Sequence, residues 1–114
     1  MSRRTNAAAQ RFTASAPVFF ALGDETRLRL VAKLCADGPS SIAELAEGQA
    51  ITRQAIRKHL VVLAKAGLVR DVEQGRERIF ELEAKKLELA KRSLDEISSA
   101  WDEALGRLQA FVEQ

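Results

Sequence analysis

The carboxyl-terminal third of the chain repeats apolar residues at gaps of three or four, and this pattern limits the fold more than any other feature. The residues are Leu87, Ala90, Leu94, Ile97, Trp101, Leu105, Leu108 and Val112. Such spacing places them on one face of a single long helix. A stripe of this length on a chain of 114 residues leaves apolar surface in water unless something covers it. Part of the stripe can close the chain's own core, and a second copy is the simplest partner for the rest.

Two capped helices joined by a brief turn are predicted in the middle of the chain. Ser41 is followed three residues later by Glu44, which is a capping box and predicts a short helix over about residues 42–47. Thr52 can cap a second, longer helix that stops at Gly67. Two such helices joined by a short connection form a helix-turn-helix pattern.

The flanking segments add two helices and a hairpin. A short helix is predicted from Pro17 to the glycine at Gly23, and Asp24 can cap the next helix. Branched and aromatic residues at 68–72 and 78–82 surround a polar stretch and predict a β-hairpin. The helix after Asp24 is expected to bury one stripe: Leu28, Val31, Ala32 and Cys35.

These elements predict a mainly α fold with a small β-hairpin, a winged helix-turn-helix with a long C-terminal dimerisation helix. Residues 1–15, which are basic and weakly periodic, are expected to be a mobile arm without an assigned fold. Residues 16–114 are expected to form a single domain, because the whole chain has the length of one. Within it, the wing is predicted at about 68–82 and the dimerisation helix at about 86–113.

Composition excludes several classes of protein. A chain with 46% hydrophobic and 30% charged residues is expected to fold rather than to be disordered. No stretch approaches the roughly 18 apolar residues of a membrane span, and no secretory signal is evident, so we expect a cytoplasmic protein with no membrane partner. A phosphate-binding glycine loop and a nucleophile with a nearby histidine are both missing from the sequence, so an enzyme is not expected.

The charge is uneven along the chain. Residues 51–78 contain seven Lys or Arg against three acids, whereas residues 79–114 contain eight acids against five bases. The middle third would therefore attract a polyanion that the last third repels.

The second helix of the pair carries side chains suited to reading double-stranded DNA. By helical periodicity Arg53, Gln54 and Arg57 fall on a polar face, and arginine and glutamine can each bind a base edge with two hydrogen bonds in the major groove. Thr52 and Lys58 suit phosphates. Arg76 and Arg78 near the hairpin tip add positive charge beside this helix. The simpler interpretation is that these residues only solvate an exposed face, but the element order and the charge distribution together favour DNA binding.

Several motifs resemble the ArsR family of winged-helix repressors. They are ALGDETRLRL at residues 21–30, KHL at 58–60 with Leu63, AGLV at 66–69 and GRE at 75–77. The resemblance covers about residues 16–113, and it implies a homodimer that sits on operator DNA and leaves when an effector binds. It carries DNA contact over to Thr52, Arg53, Gln54, Arg57, Lys58, Arg76 and Arg78. Arg57 stands where the family commonly has serine, so the operator sequence is not carried over.

The metal-binding motifs of many family members are missing from this sequence. The segment that matches their Cys-x-Cys pair is Ala43-Glu44-Leu45-Ala46-Glu47, and the terminal helix has acids but no histidine. Carboxylates alone make a poor selective site for zinc, so no metal or other cofactor is expected. The sequence leaves three alternatives for the inducing signal: a small organic molecule, a partner protein or none. Cys35 is expected to be a small buried hydrophobe, and His59 to be a partly buried histidine rather than a DNA contact.

The resemblance and the long stripe together predict the dimer interface. Its expected residues are Val18, Phe19, Ile97, Trp101, Leu105, Leu108 and Phe111. A two-fold dimer would present two recognition helices to half-sites about 34 Å or a multiple apart, which predicts a palindromic operator. The alternative is a winged-helix module that binds a protein through the long helix, with its basic face merely solvated.

Overall fold

The computed structural model describes residues 3–113, with the side chains of residue 7 and residues 9–113. Within that range the chain forms six helices and three strands: α1 (Arg3–Ala14), α2 (Ala16–Leu22), α3 (Glu25–Asp37), β1 (Ser40–Ser41), α4 (Ile42–Ala46), α5 (Arg53–Lys65), β2 (Val69–Gln74), β3 (Glu77–Leu82) and α6 (Ala84–Glu113). This order confirms the predicted mainly α fold with a hairpin wing and a long terminal helix. None of the described helices combines the length and hydropathy that crossing a membrane requires.

Three helices begin at the caps that the sequence predicts. The Asp24 carboxylate accepts a hydrogen bond from the Arg27 amide at 3.0 Å at the start of α3. Thr52 Oγ1 accepts one from the Ala55 amide at 3.1 Å at the start of α5. At α4 the capping box is complete, because Ser41 Oγ accepts from one backbone amide and the Glu44 carboxylate accepts from the Ser41 amide at 3.1 Å. Each cap satisfies an amide that a helix start leaves free.

The capping box predicts how stability depends on pH. Hydrogen bonds from the Ser41 amide and then from its hydroxyl lower the pKa of Glu44 from its ordinary value. Because the folded pKa is the lower one, this stabilisation is complete above the ordinary pKa and is lost as the pH falls through the folded pKa. Glu44→Gln keeps a capping side chain that does not titrate. Its melting temperature should therefore fall less steeply on acidification than that of the wild type, in thermal melts followed by circular dichroism. Glu47→Gln, the same change at the other end of α4, is the control, and parallel curves for wild type and Glu44→Gln would contradict the assignment.

The strands form one antiparallel sheet in the order β1-β3-β2. The wing is the β2-β3 hairpin, with Val69 opposite Leu82 at its base and Gln74 opposite Glu77 at its tip. Gly75 has φ of +65°, and positive φ at the first turn residue alone is the signature of a type II′ turn, which suits a two-residue hairpin loop. Strand β1 could not be predicted from the sequence, because its two serines have little β propensity and are held by pairing with β3.

The core lies between α2, α3, α5 and the sheet. Its fully buried large side chains are Leu30, Leu34, Leu45, Ile56, Leu60, Leu63 and Leu68. The stripe predicted for α3 was wrong except for Val31: Leu28 is 51% exposed, and Ala32 and Cys35 are also exposed. Leu30 and Leu34 satisfy helical spacing equally well, and the packing of α3 on α5 selects their face. The expected burial of Cys35 is therefore corrected.

The amino-terminal segment, predicted to be an arm without a fold, contains helix α1 in the part that the structure describes; residues 1–2 lie outside it. The intrinsic helix propensity of Ala7, Ala8 and Ala9 favours this helix. The helix is tied to the domain at two points. The Phe12 and Phe19 rings stack with centroids 5.7 Å apart, and Arg11 Nε lies 3.0 Å from Glu96 Oε1 on α6.

The second half of α6 projects from the body of the chain. The radius of gyration is 18.2 Å, whereas a compact chain of this length would have about 13 Å. Ala90 and Ser93 are buried in the first half of the helix. From residue 98 to 113 every side chain is exposed except Ala104, which is half-buried. The apolar stripe of this half is therefore uncovered in a single chain.

Candidate nucleic-acid interface

Helix α5 separates its side chains into a buried face and an exposed polar face. Ile56, Leu60 and Leu63 are buried against the core. The polar residues predicted to meet DNA are all exposed in the first two turns of the helix: Arg53, Gln54, Arg57 and Lys58. An exposed helix with arginine and glutamine in its first two turns has the shape and the donors that base edges in the major groove require.

Thr52 lies at the exposed start of α5. Its Oγ1 accepts a hydrogen bond from within the helix, which leaves the hydroxyl hydrogen free to donate. The free amides of the first turn and the partial positive charge of the helix start also favour an anion at this end. This end of the helix is therefore suited to a phosphate.

The wing places Arg76 at its tip and Arg78 on its inner side. Arg76 is exposed in the turn beside Gly75. Arg78 Nη1 makes an ion pair with Asp71 Oδ2 at 2.6 Å across the hairpin. Arg78 and Arg57 line one hollow of about 510 Å³ between α5 and the wing, so the structure brings these two predicted residues together. Asp71 could not be predicted as the partner of Arg78, because the pairing depends on the strand register.

Arg70 belongs to the basic middle third by sequence but is neutralised in the fold. Its guanidinium pairs with Glu81, which stands opposite it in the hairpin, and with Glu83. The hydrogen bond to Glu81 and the charges of both carboxylates raise the pKa of Arg70. The local surplus of positive charge therefore resides on the α5 face and on Arg76, not on Arg70.

A polar cluster joins α5 to α2 and α3. Arg27 donates a hydrogen bond to the Ala21 carbonyl at 2.6 Å at the end of α2, and its Nη1 lies 3.4 Å from His59 Nδ1 on α5. His59 is partly buried, as expected, and lies 3.8 Å from the Asp24 carboxylate. The Arg27 amide, with the charges of Arg27 and His59, lowers the pKa of Asp24. Arg27 thus connects three helices, a role that nothing in its sequence spacing signals.

The residues predicted for the dimer interface occupy different environments. Trp101, Leu105, Leu108 and Phe111 are exposed on α6, with Trp101 64% exposed and Phe111 75%. Ile97 is half-buried, as is Phe19, which stacks on Phe12. Val18 is only 4% exposed and lies within the core of its own chain, so it is withdrawn from the interface. Val18 directly precedes Phe19 on α2, but its side chain is buried by packing on α6.

Within the part of the chain that the structure describes, no group of three or more His, Cys, Asp or Glu side chains is arranged to hold a metal ion. Cys35 is exposed and is the single cysteine of the sequence.

Comparisons with known proteins agree on one family. Residues 22–72 match the Helix-turn-helix domain family. The HTH-type transcriptional regulator Rv2034 of Mycobacterium tuberculosis is 38% identical over 85 residues, which are 75% of this chain and 76% of that protein.

Solved structures give the same result. An ArsR-like transcriptional regulator from Rhodococcus sp. RHA1 is 35% identical with a TM-score of 0.70, over 88% of this chain and 93% of that one. A protein described as a possible transcriptional regulator for arsenical resistance is also 35% identical, with a TM-score of 0.66 over 81% and 92% of the two chains. These relatives are regulators and not enzymes. The chain therefore belongs to the ArsR family of winged helix-turn-helix proteins and is a DNA-binding transcriptional regulator.

Proposed function

We propose that this regulator is a homodimeric repressor that binds a palindromic operator and does not respond to metals. The observation that carries the proposal is the exposed face of α5, where Arg53, Gln54 and Arg57 stand clear of the core, next to the wing that carries Arg76 at its tip. In the proposed complex these three side chains contact base edges. The phosphates are bound by Thr52, Lys58 and Arg76, and Arg78, whose charge is shared with Asp71, would lie beside them. A dimer seated on an operator near a promoter would block transcription there.

The uncovered half of α6 supports the dimer. Trp101, Leu105, Leu108 and Phe111 expose apolar surface on one projecting helix, and a second copy would cover it by a two-fold axis. Ile97 and Phe19 would lie at the edge of that interface, where each is already half-buried. Two-fold symmetry also places two recognition helices on one side of the duplex.

The ligand chemistry argues against regulation by a metal. The segment that matches the family's Cys-x-Cys pair spans α4 and the residue after it, and it carries Glu44 and Glu47 but no thiol. Helix α6 carries acids and no histidine. Oxygen ligands alone select poorly for zinc and related ions, so we infer an effector of another kind.

The proposal is tested by a mobility shift of the protein's own upstream intergenic DNA against a scrambled duplex, at two salt concentrations. Specific binding that weakens with salt is expected, because counterions leave the phosphates as the protein binds. A promoter-reporter assay should then show lower expression with the protein than without it. Equal affinity for both duplexes, or a salt-insensitive complex with a protein partner, would favour the protein-binding module.

Arg76→Gln should weaken binding to operator and scrambled DNA by the same factor, because a tip arginine meets phosphate and reads no base. The slope of log affinity against log salt should fall by about 0.9 for each phosphate contact removed, or about 2 for a dimer. Binding titrations at several salt concentrations measure both quantities. Arg70→Gln is the matched control in the same hairpin, since its charge is already paired with Glu81. A change in sequence preference for Arg76→Gln would contradict a phosphate role.

A further inference from the structure

A crevice of about 200 Å³ separates α1 and the start of α2 from the first half of α6. None of the seven proposed DNA contacts lines this crevice. Its walls combine three kinds of chemistry, namely positive charge, buried hydroxyl groups and an apolar floor. The proposed DNA contacts do not explain this combination.

The charge of the crevice is positive and only partly compensated. Arg11, Lys86 and Arg92 line it together with one acid, Glu96, which is paired with Arg11. Among the described side chains, no carboxylate oxygen lies within 4.0 Å of the Lys86 or Arg92 nitrogens. The adjoining hollow adds Lys85 and Glu88, one charge of each sign, so the surplus persists.

The interior of the crevice is built from hydroxyl and apolar groups. Ser15 Oγ and Ser93 Oγ lie 2.9 Å apart, and both side chains are buried, at 6% and 4% exposure. Val18 and Leu89 supply apolar surface beside this pair. A ligand that fits must therefore have an anionic end and a short apolar body.

We propose that this crevice binds a small organic monocarboxylate, with its carboxylate held by Arg92 and Lys86 and its apolar body on Val18 and Leu89. The volume equals that of about seven water molecules at about 30 Å³ each, which suits a ligand of six to ten non-hydrogen atoms, roughly the size of benzoate. The expected ligand is thus smaller than those of the usual pockets of 300–1,000 Å³.

Lys86 connects the crevice to the recognition helix. Gly67, which follows α5, has φ of +79°, and a Cβ built there would lie 2.8 Å from Lys86 Cγ. The Lys86 methylenes therefore pack directly on the backbone that ends α5. A carboxylate that draws the Lys86 ammonium into the crevice would shift this contact and thereby the α5 face. The proposal that the monocarboxylate acts as an effector rests on the proposed function, whereas the proposal that it binds in the crevice does not.

Isothermal titration calorimetry of the intact protein tests the site, with benzoate and butyrate as probes at constant ionic strength and uncharged benzamide as the control ligand. Saturable benzoate binding is expected with a Kd on the order of 1 mM or tighter, as befits about nine non-hydrogen atoms. Arg92→Gln should weaken it at least about tenfold, since a charged hydrogen-bonded partner is lost. Lys91→Gln removes the same charge one residue away, outside the crevice, and should leave the Kd unchanged. Circular dichroism confirms that each variant is folded.

Three results would overturn the site: no saturable heat from either acid well above the expected Kd, equal binding of benzamide, or equal weakening by Arg92→Gln and Lys91→Gln. A mobility shift with and without saturating benzoate then tests the effector role, and an unchanged operator affinity would overturn it. If benzoate binds as expected but the protein shifts no DNA, the proposed function fails while the site stands. If the protein binds its operator but neither acid, the site fails alone.

Discussion

Replacing Trp101 by alanine is expected to raise the dimer dissociation constant by about a thousandfold. Truncating a central interface aromatic costs about 2 kcal/mol or more. A two-fold interface contains the residue twice, so the loss is about 4 kcal/mol, which corresponds to a factor of about 10³. Trp101 fits this role because it is 64% exposed in the single chain and lies at the start of the uncovered half of α6. A dilution series in the analytical ultracentrifuge measures the constant.

Leu28→Ala is the matched control for this prediction. Leu28 is also a large apolar side chain that is about half exposed, but it lies on α3 and outside the proposed interface. The Leu28→Ala variant should leave the dimer dissociation constant unchanged. Trp101→Phe should retain most of the dimer affinity because it keeps an aromatic ring. A Trp101→Ala variant that remains dimeric at low micromolar concentration would show that the interface lies elsewhere. Operator affinity should fall together with dimer stability, since a monomer contacts one half-site.

The parts of the fold that depend on residues close together in the sequence could be predicted from it. Asp24, Ser41 and Thr52 each cap the helix that they were expected to cap, because a capping bond spans only three residues. The two faces of α5 were also predicted, because only one arrangement of its apolar residues forms a continuous stripe.

The parts that depend on tertiary packing could not be predicted in the same way. Helix α3 offers two apolar stripes with helical spacing, and only contact with α5 decides that Leu30 and Leu34 are buried while Leu28 is not. Helix α1 has good local propensity, but its docking through Phe12 and Arg11 involves partners on other helices.

The candidate site shows the same division. The exposed residues of α5 follow from periodicity, whereas the state of each wing arginine depends on its cross-strand neighbours. Arg70 stands opposite Glu81, whereas Arg78 stands opposite Glu73 and pairs diagonally with Asp71, so both pairings need the register of the hairpin. A count of charges along the sequence treats these arginines as equivalent to Arg76, although both are already paired.

Arg57→Ala is expected to lower operator affinity by roughly 30- to 30,000-fold while leaving the fold intact. Loss of one bidentate contact to a base costs about 1 to 3 kcal/mol, and a palindrome contains two such contacts, so the total is about 2 to 6 kcal/mol. Arg57 is exposed, so its removal leaves no cavity, and the melting temperature should change little. Titrations of operator and scrambled duplexes at two salt concentrations measure the two affinities and their ratio.

Lys58→Ala provides the comparison that separates the two kinds of contact. Lys58 is the next residue of α5 and is equally charged and exposed, but it is proposed to bind phosphate. Its loss should weaken both duplexes by one factor and preserve their ratio, whereas Arg57→Ala should reduce the ratio because the base contact exists only at the operator. Arg57 shares the hollow beside the wing with Arg78, so in the proposed complex the two side chains would approach the same stretch of the duplex. If Arg57→Ala weakens both duplexes equally, Arg57 is a phosphate contact, and Arg53 and Gln54 must carry the sequence preference.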